Sequence, residues 1–160
     1  MSESLDPRDL DLGSLALFAG FAATTAVQAD LASTGFGDLR MSHGYVFQHL
    51  IDARPTVSDL AMKLDMTQQG ASKAVAELER LGYVERVQDA RDARIRRVAL
   101  TRRGREAVSA ARRARAGLEA RLRDRFGPTA FDAARALLAD VLQELGGTAA
   151  IRRRDVRPPH

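Results

Sequence analysis

Between Thr56 and Leu100 the hydrophobic period changes, and that change limits the folds open to this chain more than any other feature. Leu60, Ala61 and Leu64 recur at helical spacing, and so do Ala71, Ala74, Val75, Leu78 and Leu81. Thr56 and Thr67 each stand just before one of these runs, where a hydroxyl can accept from first-turn amides. Asp59, three residues after Thr56, completes a capping-box-like pair. Asp65-Met66 leaves room for only a tight turn between the two helices. Gly82 follows Leu81, where a helix end favours a left-handed residue. Beyond it Tyr83 to Val87 and Ile95 to Leu100 have strand character, the second alternating imperfectly. The polar, turn-forming segment Gln88 to Arg94 joins them as the tip of a β-hairpin. Two short helices, a tight turn and a charged hairpin are the parts of a winged helix-turn-helix.

That arrangement explains the residue types. The second helix of such a pair enters a DNA major groove by its first turns, so its inner face is apolar and its outer face short and polar. Here the cap Thr67 is followed on the outer face by Gln68, Gln69, Ser72, Lys73, Ala76 and Arg80. Gln can bond an adenine edge with both amide atoms, Ser can bond base or phosphate, and Lys binds guanine or phosphate. The helix N-terminus adds backbone donors for a phosphate. Gly70 and Ala71 keep the first turn slim. At the hairpin tip, Arg91 and Arg94 can reach phosphates or a narrow minor groove. Asp92 repels DNA by its own charge, so its expected task is to hold one of these arginine side chains.

Charge supports a polyanion partner. Residues 1–38 hold six acids and one base, a net of −5. Arg86 to Arg105 holds eight arginines and two aspartates, a net of +6. Such a block suits nucleic acid, and Arg suits forked contacts to phosphate and guanine. There is no Cys, which excludes disulfides, thiol redox sensing and Cys metal sites. The acidic N-terminus lacks the basic start of a signal peptide, so the expected location is cytoplasmic, on the nucleoid.

The remaining segments are helical. Leu12 to Ser33 is expected as a first helix ended by Gly35 and Gly37, and Ser42 to Ile51 as a second with His43, Phe47 and Leu50 on one face. Leu12 to Ala29 is uncharged over 18 residues, about the threshold for a membrane span. Its glycines, Thr24, Thr25 and Gln28 favour instead a helix buried all round in a protein. Thr101 opens a long helix to about Arg125, whose stripe Val108, Ala111, Arg115, Leu118 and Leu122 has one polar interruption, Arg115. Pro128 fits the first position of a last helix carrying Phe131, Ala134, Leu138, Val141 and Leu145 on one face. The run Arg152 to Arg154 is expected to be a solvated tail.

With these residues in place, Pro55 to Glu106 resembles the core of the MarR family of bacterial winged helix-turn-helix transcriptional regulators. The most specific match is the wing, Asp89-x-Arg91-Asp92-x-Arg94, followed by Leu100-Thr101 at the next helix. The resemblance implies a mainly α fold with a small β-hairpin wing, in a single domain over 1–160. It implies dimerisation helices at 11–36 and 107–146, a DNA-binding lobe at 39–106, and a flexible basic tail at 147–160. It further implies a homodimer whose two lobes read successive major grooves of double-stranded DNA at a palindromic operator, most often as a repressor. On this view Leu15, Phe18, Phe21, Ala22 and Val27 are interface and core rather than membrane anchor.

The chain departs from the family in its second helix. Where many members carry a Leu-Thr-Pro-x-Gln-like start, this chain has Leu39-Arg40-Met41-Ser42-His43-Gly44-Tyr45. Phe18, His43, Tyr45 and Phe47 are therefore candidates for a crevice that takes a small aromatic or amphipathic effector, with core packing as the plainer alternative. A metal site has little support, since His43 and His49 lack the i,i+4 spacing of a helical chelate. No nucleophile triad, phosphate loop or carboxylate pair points to catalysis, and no cofactor is expected. Two other functions fit the same fold: a small-molecule sensor with a secondary DNA role, and an architectural protein that binds DNA without base preference.

Overall fold

The computed structural model describes residues 6–147. Thus the Arg152 to Arg154 run, with all of the expected tail beyond Gly147, lies outside the described residues. Six α-helices and one hairpin follow in order: α1 (Leu12–Leu31), α2 (Met41–Gln48), α3 (Val57–Leu64), α4 (Gln68–Arg80), β1 (Val84–Gln88), β2 (Arg96–Leu100), α5 (Arg102–Phe126) and α6 (Pro128–Glu144).

The period change in the sequence is realised as expected. Thr56, Thr67 and Thr101 cap α3, α4 and α5, accepting from the amides of Asp59, Gly70 and Gly104 at 3.0–3.1 Å. Such a cap is worth about 1 kcal/mol to each helix. Asp59 answers Thr56 by accepting from its amide at 2.9 Å. Asp65, at φ 53°, closes α3 in a left-handed turn. Gly82, at φ 79°, closes α4, with the Tyr83 amide returning to the Leu78 carbonyl at 2.9 Å.

β1 and β2 pair antiparallel, with Val84 opposite Leu100, Arg86 opposite Val98 and Gln88 opposite Arg96. The Val98 amide also donates to the Pro55 carbonyl at 2.8 Å, which ties the approach to α3 onto the hairpin. The lobe's core gathers Leu60 and Leu64 of α3, Val75 and Leu78 of α4, Tyr83, Val84 and Val98 of the hairpin, and Phe47 of α2. Tyr83, Leu60 and Leu78 are wholly inaccessible to solvent. Gly104 has a steric reason: a Cβ there would lie 2.1 Å from the Tyr83 carbonyl oxygen.

α5 joins this lobe to the helical body. Its buried face consists of Gly104, Ala107, Ala110 and Ala114. Ala110 and Ala114 receive Val27 and Leu31 of α1. The expected stripe through Val108, Ala111, Arg115, Leu118 and Leu122 is thus displaced to the side of the buried seam. The small residues admit the close approach of α1, and their weak hydrophobic signal hid that role. α2 is shorter than expected, ending at Gln48.

α1 is not buried all round within one chain. Val27 and Leu31 are its buried residues, while Phe18 and Phe21 are 57% and 48% exposed. α6 buries none of its residues, and Leu137, Leu138 and Leu142 stand exposed. By length and composition alone, Leu12–Phe36 could cross a membrane.

Candidate nucleic-acid interface

α4 turns its apolar face into the lobe through Ala71, Val75 and Leu78, and this fixes what faces outward. Gln68, Gln69, Lys73, Ala76 and Arg80 are exposed, and Ser72 is half-buried beside them. Thr67 is exposed and caps the helix through its hydroxyl oxygen, which leaves the O–H free to donate to another partner. A Cβ on Gly70 would come within 3.2 Å of the Thr67 hydroxyl, so the glycine also serves the cap. Gln68 is oriented from α3: its Nε2 donates to the Ser58 hydroxyl at 3.1 Å. One amide hydrogen and the carbonyl oxygen of Gln68 remain for another partner.

The wing is built on Asp89. One of its carboxylate oxygens accepts from the amides of Arg91 and Asp92 at 2.8 and 3.1 Å, and the other pairs with Arg97 Nε. Arg97 in turn donates to the Arg54 carbonyl at 3.0 Å. The Arg97 guanidinium, then the backbone donors, hold the Asp89 pKa down to about 2. Asp92 does not hold an arginine side chain. It accepts from the Arg94 backbone amide at 2.9 Å and so shapes the tip turn. Asp89, which the sequence placed only in the motif, is the residue that grips an arginine.

This bonding sorts the basic block. Arg86 pairs with Glu79, Arg97 with Asp89, Arg102 with Glu106, and Arg103 with Asp38. Arg105 donates to the Leu100 carbonyl at 2.7 Å. Arg103 also lies over the Tyr83 ring, 4.8 Å from its centroid, and donates to its hydroxyl. That hydroxyl donates to Asp38 at 2.5 Å; burial, then this bond, pushes the Tyr83 pKa up to about 12. Arg91, Arg94 and Arg96 have no side-chain hydrogen bond or ion pair among the described residues. Three of the block's arginines without an acidic partner, Arg91, Arg94 and Arg96, therefore sit on the wing, on the same lobe as the polar face of α4.

A second feature lies behind the lobe. A cavity of about 400 Å³ opens between α1, α2, α5 and α6, lined by Val27, Leu31, Phe47, Leu118 and Phe131 among others. Of the four expected effector residues, Phe47 alone lines it. Phe18 is exposed near the start of α1, and Tyr45 packs against the lobe core. His43 is buried between α2 and α4, where Nδ1 accepts from the Arg40 amide at 3.1 Å. Its Nε2 lies 3.6 Å from a Glu77 carboxylate oxygen. Burial outweighs that carboxylate and lowers the His43 pKa, which keeps the ring neutral near pH 7. Gly44, in the segment that departs from the family pattern, does line it, as do Arg40 beside it and Arg135 of α6, which the sequence did not single out. The departure from the family pattern at Arg40 to Gly44 was the available signal. Among the described residues no group of three His, Asp or Glu side chains could hold a metal ion.

The fold and the α4–wing surface together define a winged helix-turn-helix protein of the class that contains DNA-binding transcriptional regulators. Residues 38–95 match the model of the MarR family. S. aureus MepR in its DNA complex is similar over 83% of this chain and 98% of its own, with 22% identity and a TM-score of 0.67. Streptococcus pneumoniae FabT in complex with DNA shares 20% identity over 86% of this chain and 99% of its own, with a TM-score of 0.63. S. aureus MepR bound to ethidium bromide shares 21% identity over 86% and 99% of the two chains, with a TM-score of 0.62. No curated protein sequence matches this chain.

Proposed function

We propose that this protein is a homodimeric, sequence-specific repressor of transcription that binds a palindromic operator in double-stranded DNA and is released by a small-molecule effector. The observation that carries the reading is the pairing of an exposed Gln68–Gln69–Lys73 face on α4 with unpaired Arg91 and Arg94 on the wing. Gln69 and Lys73 read base edges, Gln68 does so from the geometry Ser58 imposes, and Ser72 and Arg80 add phosphate contacts. Arg91 and Arg94 grip the flanking backbone or a narrow minor groove. Asp92 acts by shaping the turn that carries them.

The two-fold partner is a second copy of the chain. α1 and α6 leave Leu17, Phe18, Phe21, Leu137 and Leu138 exposed, apolar surface of the kind that marks an interaction site when it is contiguous. In this arrangement 11–36 and 107–146 are the dimerisation helices, 39–106 is the DNA-binding lobe, and the described residues form one domain. Structures of this fold are seen with DNA and with a small molecule, which fits an effector acting from the cavity. An action on DNA places the protein in the cytoplasm.

The test is binding of the purified protein to the promoter of its own operon, followed by footprinting and by sedimentation of the free protein. A protected inverted repeat with half-site centres roughly 10–10.5 bp apart, or a multiple, is expected. Diffuse protection with no repeat would transfer the protein to the architectural class. A ligand affinity that DNA leaves unchanged would favour a sensor without an allosteric link to the operator.

A further inference from the structure

Ser58 and Gln68 meet across the helix pair, ten residues apart in the chain, with Gln68 Nε2 donating to the serine hydroxyl at 3.1 Å. Both side chains are exposed, so burial does not impose the contact. The helix starts that carry them do. Ser58 stands on the first turn of α3, capped by Thr56, and Gln68 opens α4, capped by Thr67. Leu60, Leu64 and Val75 hold the two helices together in the lobe core. The Ser58 hydroxyl makes no other hydrogen bond among the described residues, so its own hydrogen is uncommitted. That leaves two ways to satisfy the pair. A hydroxyl accepts from an amide nitrogen or donates to an amide oxygen, and the choices turn opposite ends of Gln68 outward. With Nε2 toward Ser58, as here, Gln68 offers its carbonyl oxygen and one N–H. With the oxygen toward Ser58, it would offer N–H groups alone.

We propose that Ser58 donates its free hydrogen to a DNA phosphate and thereby fixes the Gln68 amide in the orientation that reads adenine and rejects guanine. The inference rests on the proposed function, in which α4 lies in the major groove. The start of α3 is also the end of that helix at which backbone N–H groups and the dipole favour a phosphate. A phosphate oxygen only accepts, so it takes the one hydrogen that Ser58 has. The hydroxyl oxygen must then accept, and Nε2 is the only end of the Gln68 amide that donates. The outward carbonyl and N–H match the N6 amino group and N7 of adenine. Guanine presents two acceptors, N7 and O6, so its O6 would face the Gln68 carbonyl. An unrestrained glutamine escapes that repulsion by turning its amide over. Here the turn would set the carbonyl against a hydroxyl oxygen whose hydrogen is already given away. Phosphate contacts ordinarily position a protein without carrying sequence information. In this arrangement one of them decides a base preference. Ser58 is thus a positioning residue for Gln68, and it lies outside the recognition helix.

The test is selection by the full-length protein from a random duplex library, followed by anisotropy on the selected duplex and its single-position variants. Gln68→Ala marks the base pair that Gln68 reads, as the position at which preference disappears. There the wild type is expected to favour adenine over guanine by about tenfold, within the range of one bidentate contact. Ser58→Ala brings that ratio toward parity, and preferences at the other positions persist. Ser58→Thr, which keeps the hydroxyl, restores the ratio. Ser58→Ala added to Gln68→Ala alters no preference further. A Ser58 that only supported the fold or only gripped a phosphate would lower affinity for all duplexes alike and leave the ratio unchanged. That result overturns the relay and leaves the proposed function standing, as does a Gln68→Ala motif identical to the wild type or a wild-type preference there for any base but adenine. A wild-type selection that enriches no motif sinks the proposed function, and the relay with it.

Discussion

Asp89 and Arg97 close the base of the wing: the carboxylate pairs with Arg97 Nε from across the hairpin while its other oxygen gathers the amides of Arg91 and Asp92. One side chain thus sets both the strand-to-tip junction and the direction in which the tip leaves it. Asp89→Asn removes the charge and weakens the grip on Arg97. The wing then samples more conformations, and DNA binding weakens by about fivefold or less, since the pair is near the surface. Hydrogen exchange at residues 89–95 should quicken in parallel. The pH dependence has a definite sign. The folded pKa lies below the ordinary 3.8, so the contribution of Asp89 to stability is complete above that value and is lost as pH falls toward about 2. Acid unfolding of the lobe should show this loss in the wild type and lack it in Asp89→Asn.

The two halves of the DNA-reading surface predict different failures. Arg94 is unpaired at the tip, so Arg94→Ala should weaken binding to every sequence alike and lower the salt slope by about 1 per lobe. Gln69 lies exposed on the first turn of α4. Gln69→Ala should instead relax base preference at one position of each half-site, by about 1–3 kcal/mol if both amide atoms engage one base. Fluorescence anisotropy over a salt series, on operator and scrambled duplexes, separates the two. An unchanged slope in Arg94→Ala would remove the wing from the interface.

The winged lobe was legible in the sequence because its signals are local. The threonine caps at Thr56 and Thr67, Gly82 and the hairpin each depend on residues close together in the chain, and each is found where expected. The seam between α1 and α5 was not legible, because Ala110 and Ala114 announce nothing by their hydrophobicity. They matter for the distance at which α1 can approach, which is a property of two segments far apart in the chain. The same limit applied to the candidate crevice. His43 looked like a polar lining residue, but its buried place against Glu77 depends on how α2 lies on α4. Asp92 and Asp89 carry the same charge in one motif, and only the hairpin's closure decided which of them reaches an arginine.

Gly104 offers a test of the joint between lobe and body. Its missing Cβ leaves room for the Tyr83 carbonyl, which a methyl group would approach to 2.1 Å. That obstacle is backbone, and Tyr83 is inaccessible to solvent beneath Phe36 and Phe47. Gly104→Ala must therefore shift α5 away from the hairpin. The expected cost is about 3 kcal/mol, toward the upper end for overpacking, despite the better helix propensity of Ala. Urea unfolding measures it. A neutral or stabilising result would mean that α5 enters the lobe at a greater distance than the structure shows.

The exposed apolar faces of α1 and α6 lead to the last prediction. Phe18 and Phe21 on α1, with Leu138 and Leu142 on α6, are between 40% and 57% exposed in a single chain. Two environments could cover them, a second chain or a lipid bilayer, and Leu12–Phe36 is long enough for either. The pattern favours the chain. The C-terminal half of α1 already packs on α5 through Val27 and Leu31, so a membrane span would have to tear it from that seam. α6 carries an exposed apolar face of its own and is not itself a candidate span among the described residues. Phe21→Glu combined with Leu138→Glu should then give monomers in sedimentation equilibrium at concentrations where the wild type is dimeric. The monomer presents one recognition helix, so it should lose most of its affinity for a full operator while retaining weak, salt-sensitive binding to a half-site. Vesicle flotation provides the contrary arm. Wild-type protein that floats with lipid, and a double variant that does not, would assign the face to a membrane and remove the basis for the dimer.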